Sequence, residues 1–204
     1  MRKVVLFDND DTLFPFGVPF INFHNDKYGT SAHISDFIHY RWHEVFGCSF
    51  KELYHRVHVF TQSKHQQRIK PLPGVARLID HFLEREWQLV MVTSRPESHQ
   101  SYVSMLYEKY LADKFVAHHY LGHRHDGTDE VTKLDIAKHY DATLMFDDAP
   151  GHFEGIAQLG MQGFMPQIRW NEDVNIDCVT PLIPEEGNEE SMWDPAYNWL
   201  HKNG

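Results

Sequence analysis

Three carboxylates crowd the start of the chain, in Val4-Val5-Leu6-Phe7-Asp8-Asn9-Asp10-Asp11-Thr12-Leu13. Asp8 and Asp10 follow an apolar run and repel each other unless a cation or a proton lies between them. Oxygen donors of this kind favour Mg2+ over Zn2+. Two more apolar runs end in charge-handling residues. Gln88-Leu89-Val90-Met91-Val92 gives way to Thr93-Ser94-Arg95, and Thr143-Leu144-Met145-Phe146 to Asp147-Asp148. Phosphoryl transfer needs such a set: an in-line nucleophile, a general acid/base and charge neutralisation around the equatorial oxygens. The Asp8 carboxylate can attack phosphorus beside a metal, while Asp10 can protonate the leaving oxygen and then activate water. Asp148 can complete a metal site with Asp8 and the main-chain carbonyl of Asp10, with Asp147 joining directly or through water. Thr93, Ser94 and the ammonium of Lys133 suit the phosphoryl oxygens.

Each piece also has a plain structural use. Asp and Asn form turns, Thr93 and Ser94 can cap a helix, Asp147-Asp148 can begin one, and a lysine usually faces solvent. The convergence of three polar strand ends is what favours chemistry, and it requires a scaffold that brings them together.

Apolar runs flanked by polar residues suit strands buried on both faces of a parallel sheet. Open α/β sheets gather their ligands at the carboxyl ends of such strands. Pro15, Gly17 and Pro19 turn the chain out of the first strand. Residues 20–64 read as helices, with Ile21, His24 and Tyr28 at helical spacing, a cap at Ser35 and a Ser49…Glu52 capping box. Lys70 to Gly74 is a return linker, and Val75, Leu78, Ile79 and Phe82 stripe the next helix. Pro96 is expected to open a helix through Tyr102, Leu106 and Tyr110, and Lys133 another through Ile136 and Tyr140. A short strand is expected near 115–121, a loop over 122–128, a helix from Pro150 to Leu159 and an edge strand around Gln162 to Met165. The acidic tail from Arg169 is expected to be irregular until Trp193, Trp199 and Leu200 dock back. Alternating strands and helices predict an α/β, doubly wound, Rossmann-like parallel sheet. Residues 1–13 and 71–168 form its core, 14–70 a small helical cap inserted between the first and second motifs, and 169–204 an acidic C-terminal extension.

The 204 residues, 42% of them apolar, suffice for one sizeable domain with an insertion. A formal net charge of -10 speaks against broad binding to polynucleotides or anionic membranes. No apolar run approaches the length of a membrane span, and the first strand follows Met1-Arg2-Lys3 without room for a signal peptide. A cytoplasmic protein with Cys48 and Cys178 reduced is the expectation. His118, His119, His123 and His125 fit no common zinc spacing and are read as surface or loop residues without a ligand role. Nothing in the sequence indicates an oligomer.

Taken in order, DNDDTL, the Thr93 of VMVTSRP, Lys133 and FDDAP resemble the four motifs of the haloacid-dehalogenase-like phosphohydrolases, over residues 3–165. The choice of Lys133 over Lys138 rests on the spacing in that family. The resemblance implies a Mg2+-dependent phosphomonoesterase with an aspartyl-phosphate intermediate and a cap that closes over the leaving group. Asp11 departs from the pattern, since many members carry Gly there. The cap position, the PLPG return, TSRP and the Asp pair look most like the 5'(3')-deoxyribonucleotidase, or type C 5'-nucleotidase, group, which implies a nucleoside monophosphate held by cap aromatics. Phe16, Phe20 and Trp42 are the candidates, with Phe37, Tyr40 and Phe46 also available. A sugar phosphate or other small metabolite is the alternative substrate, and a non-catalytic phospho-ligand-binding protein the alternative from another class.

Overall fold

The computed structural model describes residues 3–39, 41–122 and 131–203. Its central strand is β1 (Val4–Phe7), whose four side chains are all buried. Strand side chains alternate between faces. Val5 and Phe7 therefore enter one core layer, and Val4 and Leu6 the other.

The chain next forms α1 (Gly17–Tyr28), a 3-10 turn (Ile34–Asp36), α2 (Trp42–Val45), α3 (Phe50–Thr61), α4 (Lys64–Gln67) and α5 (Val75–Leu83). β2 (Gln88–Thr93), a 3-10 turn (Glu97–His99), α6 (Gln100–Tyr110), β3 (Ala117–Tyr120), α7 (Lys133–Tyr140) and β4 (Leu144–Phe146) follow. Two 3-10 turns (Pro150–Phe153 and Ile156–Leu159), β5 (Gln162–Pro166), β6 (Val179–Leu182), a 3-10 turn (Glu189–Trp193) and α8 (Asp194–Asn203) complete it. The six strands lie in the order β3-β2-β1-β4-β5-β6, and every neighbouring pair is parallel. Strand order reverses beside β1, so the carboxyl ends of β1, β2 and β4 adjoin at the crevice where such sheets place ligands.

α1 to α4 sit between β1 and α5, and their aromatic side chains fuse with one core layer through Phe20, Phe23, Phe37, Trp42, Phe46 and Phe60. The excursion leaves and returns at one place, where the Leu72 amide donates to the Leu13 carbonyl at 2.9 Å. Among the described residues no helix is long and apolar enough to cross a membrane.

Several sequence expectations need correction, among them the cap at Ser35, which lies inside a 3-10 turn capped by His33. The helix expected over Pro150–Leu159 is two 3-10 turns, because Gly155 between them takes a left-handed φ of 86° that stops helical propagation. Pro96 does not open a helix; it is extended (ψ 156°) and precedes the 3-10 turn that leads into α6. The tail is also more regular than expected. β6 pairs with β5, which makes β5 an interior strand. Pro181 lies in β6, where an edge position has no outer ladder to break. His118 and His119 lie on β3 against aromatic neighbours, His119 Nε2 standing 3.0 Å from the Tyr140 hydroxyl. His123, His125, Tyr40 and most of the expected 122–128 loop lie outside the described residues.

Trp193 locks the tail down. It is fully buried, and its Nε1 donates to the Pro73 carbonyl at 2.7 Å. Gly74 is left-handed (φ 79°), and a Cβ there would meet Trp193 Cδ1 at 2.7 Å. Gly74→Ala should therefore cost roughly 2–4 kcal/mol, adding backbone strain to overpacking. Thermal unfolding followed by circular dichroism should show a Tm lower by roughly 5–10 °C. A Trp193→Leu background should reduce the penalty, since the obstructing ring is gone.

Candidate active site

The end of β1 is shaped by its own backbone. The Leu13 and Phe14 amides both donate to the Asn9 carbonyl (3.1 and 3.0 Å), and the Asp11 amide donates to the Phe14 carbonyl at 2.7 Å. This tight loop needs a left-handed residue, and Asp11 supplies it with φ 53°. Asp11 is more than the turn residue the sequence suggests. Its carboxylate accepts from the amides of Phe16 (2.8 Å) and Gly17 (2.9 Å), the first donors of α1. Burial, against those donors, raises its pKa to about 7.

Asp8, buried at the end of β1, meets Asp147 and Asp148 at the end of β4. One oxygen from each lies within 4.8 Å of the others. Lys133, the first residue of α7, is held in place by a capping box in which Thr132 and Asp135 satisfy each other's backbone amides. Its ammonium donates to Asp8 Oδ1 at 2.5 Å and to Asp147 Oδ2 at 2.6 Å. Burial disfavours that charge, but Asp147 and Asp8 outweigh it and raise the Lys133 pKa. The opposing oxygen of Asp147 accepts from His152 Nδ1 (2.9 Å) and the Ala149 amide (3.0 Å). Burial raises the Asp147 pKa, yet His152 and Lys133 together carry it below the ordinary carboxylate value.

Asp8 and Asp148 are served differently. Burial raises Asp8 to about 6, with Lys133 opposing and Asp147 and Asp10 reinforcing. Burial and then its neighbours Asp147 and Asp8 push Asp148 well up. Asp148 Oδ2 accepts from Trp170 Nε1 at 3.0 Å, and its carbonyl from Asn171 Nδ2 at 2.8 Å. Asp8 Oδ2 and Asp148 Oδ1 receive no donor among the described residues. Three carboxylates against one ammonium leave two negative charges in a buried place. All-oxygen donors with that residual charge fit a hard divalent cation such as Mg2+.

Asp10 stands apart from this cluster. Its side chain forms a bidentate pair with Arg95, Nε to Oδ2 at 2.6 Å and Nη2 to Oδ1 at 2.9 Å. Asn9 Nδ2 also donates to Oδ1 at 2.8 Å. Thr93 is buried at the end of β2, its Oγ1 accepting from the Arg95 amide at 3.2 Å, and Ser94 Oγ lies 3.4 Å from His152 Nε2. The ends of β1 and β4 and the start of α7 thus bring together Asp8, Asp147, Asp148 and Lys133. Thr93 and Ser94 stand at the neighbouring strand end.

Beside Asp10 opens a cavity of about 230 Å3, lined from the helical insertion and from the sheet by Phe16, Trp42, Leu53, Ser94, Arg95 and His99 among others. Phe16 and Trp42 are on its wall. Phe20 is not; it is fully buried, stacked on Phe16 at 5.4 Å and edge-on to Phe60, so it supports the wall. Sequence reading assigned no role to Arg95, His152, Trp170 or His99. Arg95 meets Asp10, 85 positions away, His99 meets His58, 41 away, and Trp170 meets Asp148, 22 away, whereas His152 lies only 5 residues from its partner Asp147.

No family model and no curated protein matches the sequence. Solved structures do resemble the fold. A haloacid dehalogenase-like family hydrolase from Streptococcus pneumoniae superposes with a TM-score of 0.61 at 13% identity, covering 97% of this chain and 98% of that one. A family IA, variant 3 hydrolase from Entamoeba histolytica gives 0.59 at 15% identity, covering 95% and 98%. CbbY from Rhodobacter sphaeroides in complex with phosphate gives 0.57 at 13%, covering 90% and 94%. The chain has the α/β fold of the haloacid-dehalogenase-like hydrolases.

Two outcomes follow from this geometry. Lys133→Met strands two buried carboxylates without their ammonium. The metal-free variant should lose roughly 3–5 kcal/mol in urea unfolding, and Mg2+ should recover part of it by binding only the folded state. Asp11→Gly keeps the left-handed backbone but deletes the acceptor for two helix amides. It should cost about 1–2 kcal/mol by the same measurement.

Proposed function

We propose that this protein is a Mg2+-dependent phosphomonoesterase that works through an aspartyl-phosphate on Asp8. The observation that carries this reading is the buried Asp8–Asp147–Asp148 cluster, braced by Lys133 at the adjoining carboxyl ends of β1 and β4. Asp8, Asp148 and the main-chain carbonyl of Asp10 would hold the metal. Asp147 stands behind them, orienting Lys133 and His152. When bound, the metal neutralises the carboxylates and the phosphoryl oxygens.

In the first step Asp8 Oδ2 attacks phosphorus in line, and the leaving oxygen takes a proton from Asp10, which must first take up that proton and loosen its pair with Arg95. In the second, Asp10 takes a proton from water, whose oxygen attacks phosphorus and returns Asp8 as a carboxylate. Lys133, already on Asp8 Oδ1, stabilises the equatorial charge together with Thr93 and Ser94. Residues 14–70 act as the cap over the leaving group, on a core of 1–13 and 71–168. Among small phosphorylated metabolites we favour a nucleoside monophosphate, supported by the aromatic faces of Phe16 and Trp42 on the cavity wall. The position and return of the insertion support kinship with the type C nucleotidases.

Asp8→Asn should lower phosphate release from an aryl phosphate by at least about 10³-fold. EDTA should stop the wild type, and Mg2+ should restore it. Undiminished turnover in Asp8→Asn would refute the mechanism. A panel of nucleotides and sugar phosphates tests the substrate: indifference to the base would count against the nucleoside.

A further inference from the structure

The cavity beside Asp10 carries more information than its aromatic walls. Arg95, Trp42 and His99 line it, and each is at least nine-tenths buried. Each also holds a nitrogen that finds no hydrogen-bond partner among the described residues: Arg95 Nη1, Trp42 Nε1 and His99 Nδ1. Buried polar nitrogens are seldom left unpaired, because each forfeits its hydrogen bonds to water.

All three are donors. The indole and guanidinium nitrogens can only donate. For His99 a relay decides: the Gln62 amide donates to His58 Nε2 at 2.9 Å, so His58 Nδ1 bears the proton directed at His99 Nε2, 3.1 Å away. An imidazole accepting at Nε2 carries its own hydrogen on Nδ1. Burial, helped by Arg95, lowers the His99 pKa to about 4 and keeps the ring neutral.

Arg95 is rigid. Its other two nitrogens grip Asp10, and its guanidinium lies 5.0 Å over the Phe16 ring. The pair with Asp10 cancels its charge locally, so what Arg95 still offers is one oriented N–H. The remaining wall is largely apolar, including Leu53 and Val57.

We propose that Arg95, Trp42 and His99 form a donor set that selects leaving groups with a flat apolar body bearing a carbonyl or carboxylate oxygen. This rests on the reading that a phosphomonoester binds with its phosphate at Asp8, and it adds what the leaving group must present. A leaving group bearing an amine is disfavoured, since it brings a fourth donor to a wall where the Asp10 carboxylate is already engaged by Arg95 and Asn9.

Calorimetric titration of the Mg2+-loaded protein with 4-hydroxybenzoate, 4-hydroxyacetophenone, phenol and tyramine tests this without turnover. The two oxygen-bearing phenols should bind at least about tenfold tighter than phenol, as one or two good hydrogen bonds provide, and tyramine no tighter than phenol. The ranking between the first two separates carboxylate from carbonyl. Arg95→Gln should erase most of that advantage. Trp42→Phe, which keeps an aromatic face and leaves the Asp10 pair intact, should reduce it severalfold.

The same ratio should appear in kcat/KM for the corresponding aryl phosphates, and a uniform loss of activity in a variant cannot move it. Equal binding of all four probes, or an advantage unchanged in both variants, would overturn the proposal. Absent turnover with the binding order intact would instead refute the phosphatase reading. Turnover without any binding preference would refute the donor set alone.

Discussion

The ammonium of Lys133 lies between Asp8 and Asp147, and the chemistry of the site hangs on that contact. Two carboxylates buried this closely could not both stay ionised without a counter-charge. Lys133 provides half the answer. The remaining negative charge weighs most on Asp148, whose pKa burial and then Asp147 and Asp8 push well up. The capping box of α7 belongs to the same arrangement, because it fixes the helix start from which Lys133 reaches across to β1.

His152 and Trp170 keep the cluster from relaxing. His152 spans from Asp147 toward Ser94 and so connects the ends of β4 and β2. Trp170, from the loop after β5, takes one oxygen of Asp148 and packs edge-on to Trp42 at 5.4 Å. The indole therefore touches both a metal-ligand candidate and the wall of the leaving-group cavity.

The parts legible from sequence were those encoded locally. Val4–Phe7 announced a doubly buried strand, and Asp8, Thr93 and Asp147-Asp148 each sat where an apolar run ended. Alternation and handedness then give a doubly wound parallel sheet, while its order, 3-2-1-4-5-6, comes from the structure. What was not legible depends on distant partners. Arg95 acquires its meaning only when it meets Asp10, 85 positions away. β6 was hidden because Pro181 and the surrounding acidic residues argue against a strand, and only an edge position relieves that objection. The helix expected after Pro150 failed at Gly155, where the left-handed backbone was affordable to glycine alone among the neighbouring residues.

Asp11 shows how far a motif departure can be read. Glycine at that position would satisfy the loop, since the backbone is left-handed. The aspartate does so at some steric cost, and its carboxylate ties the loop to the first amides of α1. Gly17 sits at that junction, where a Cβ would stand 3.2 Å from Asp11, Trp42 and Trp170 alike. The loop after β1, the start of the helical insertion and the indole beside Asp148 are therefore packed closely against one another. In that arrangement Phe16, whose amide Asp11 holds, is set at a fixed height above the strand ends, and Arg95 rests on its ring. The residue that departs from the motif the sequence resembles is thus the one that fastens the insertion's start to the loop after β1.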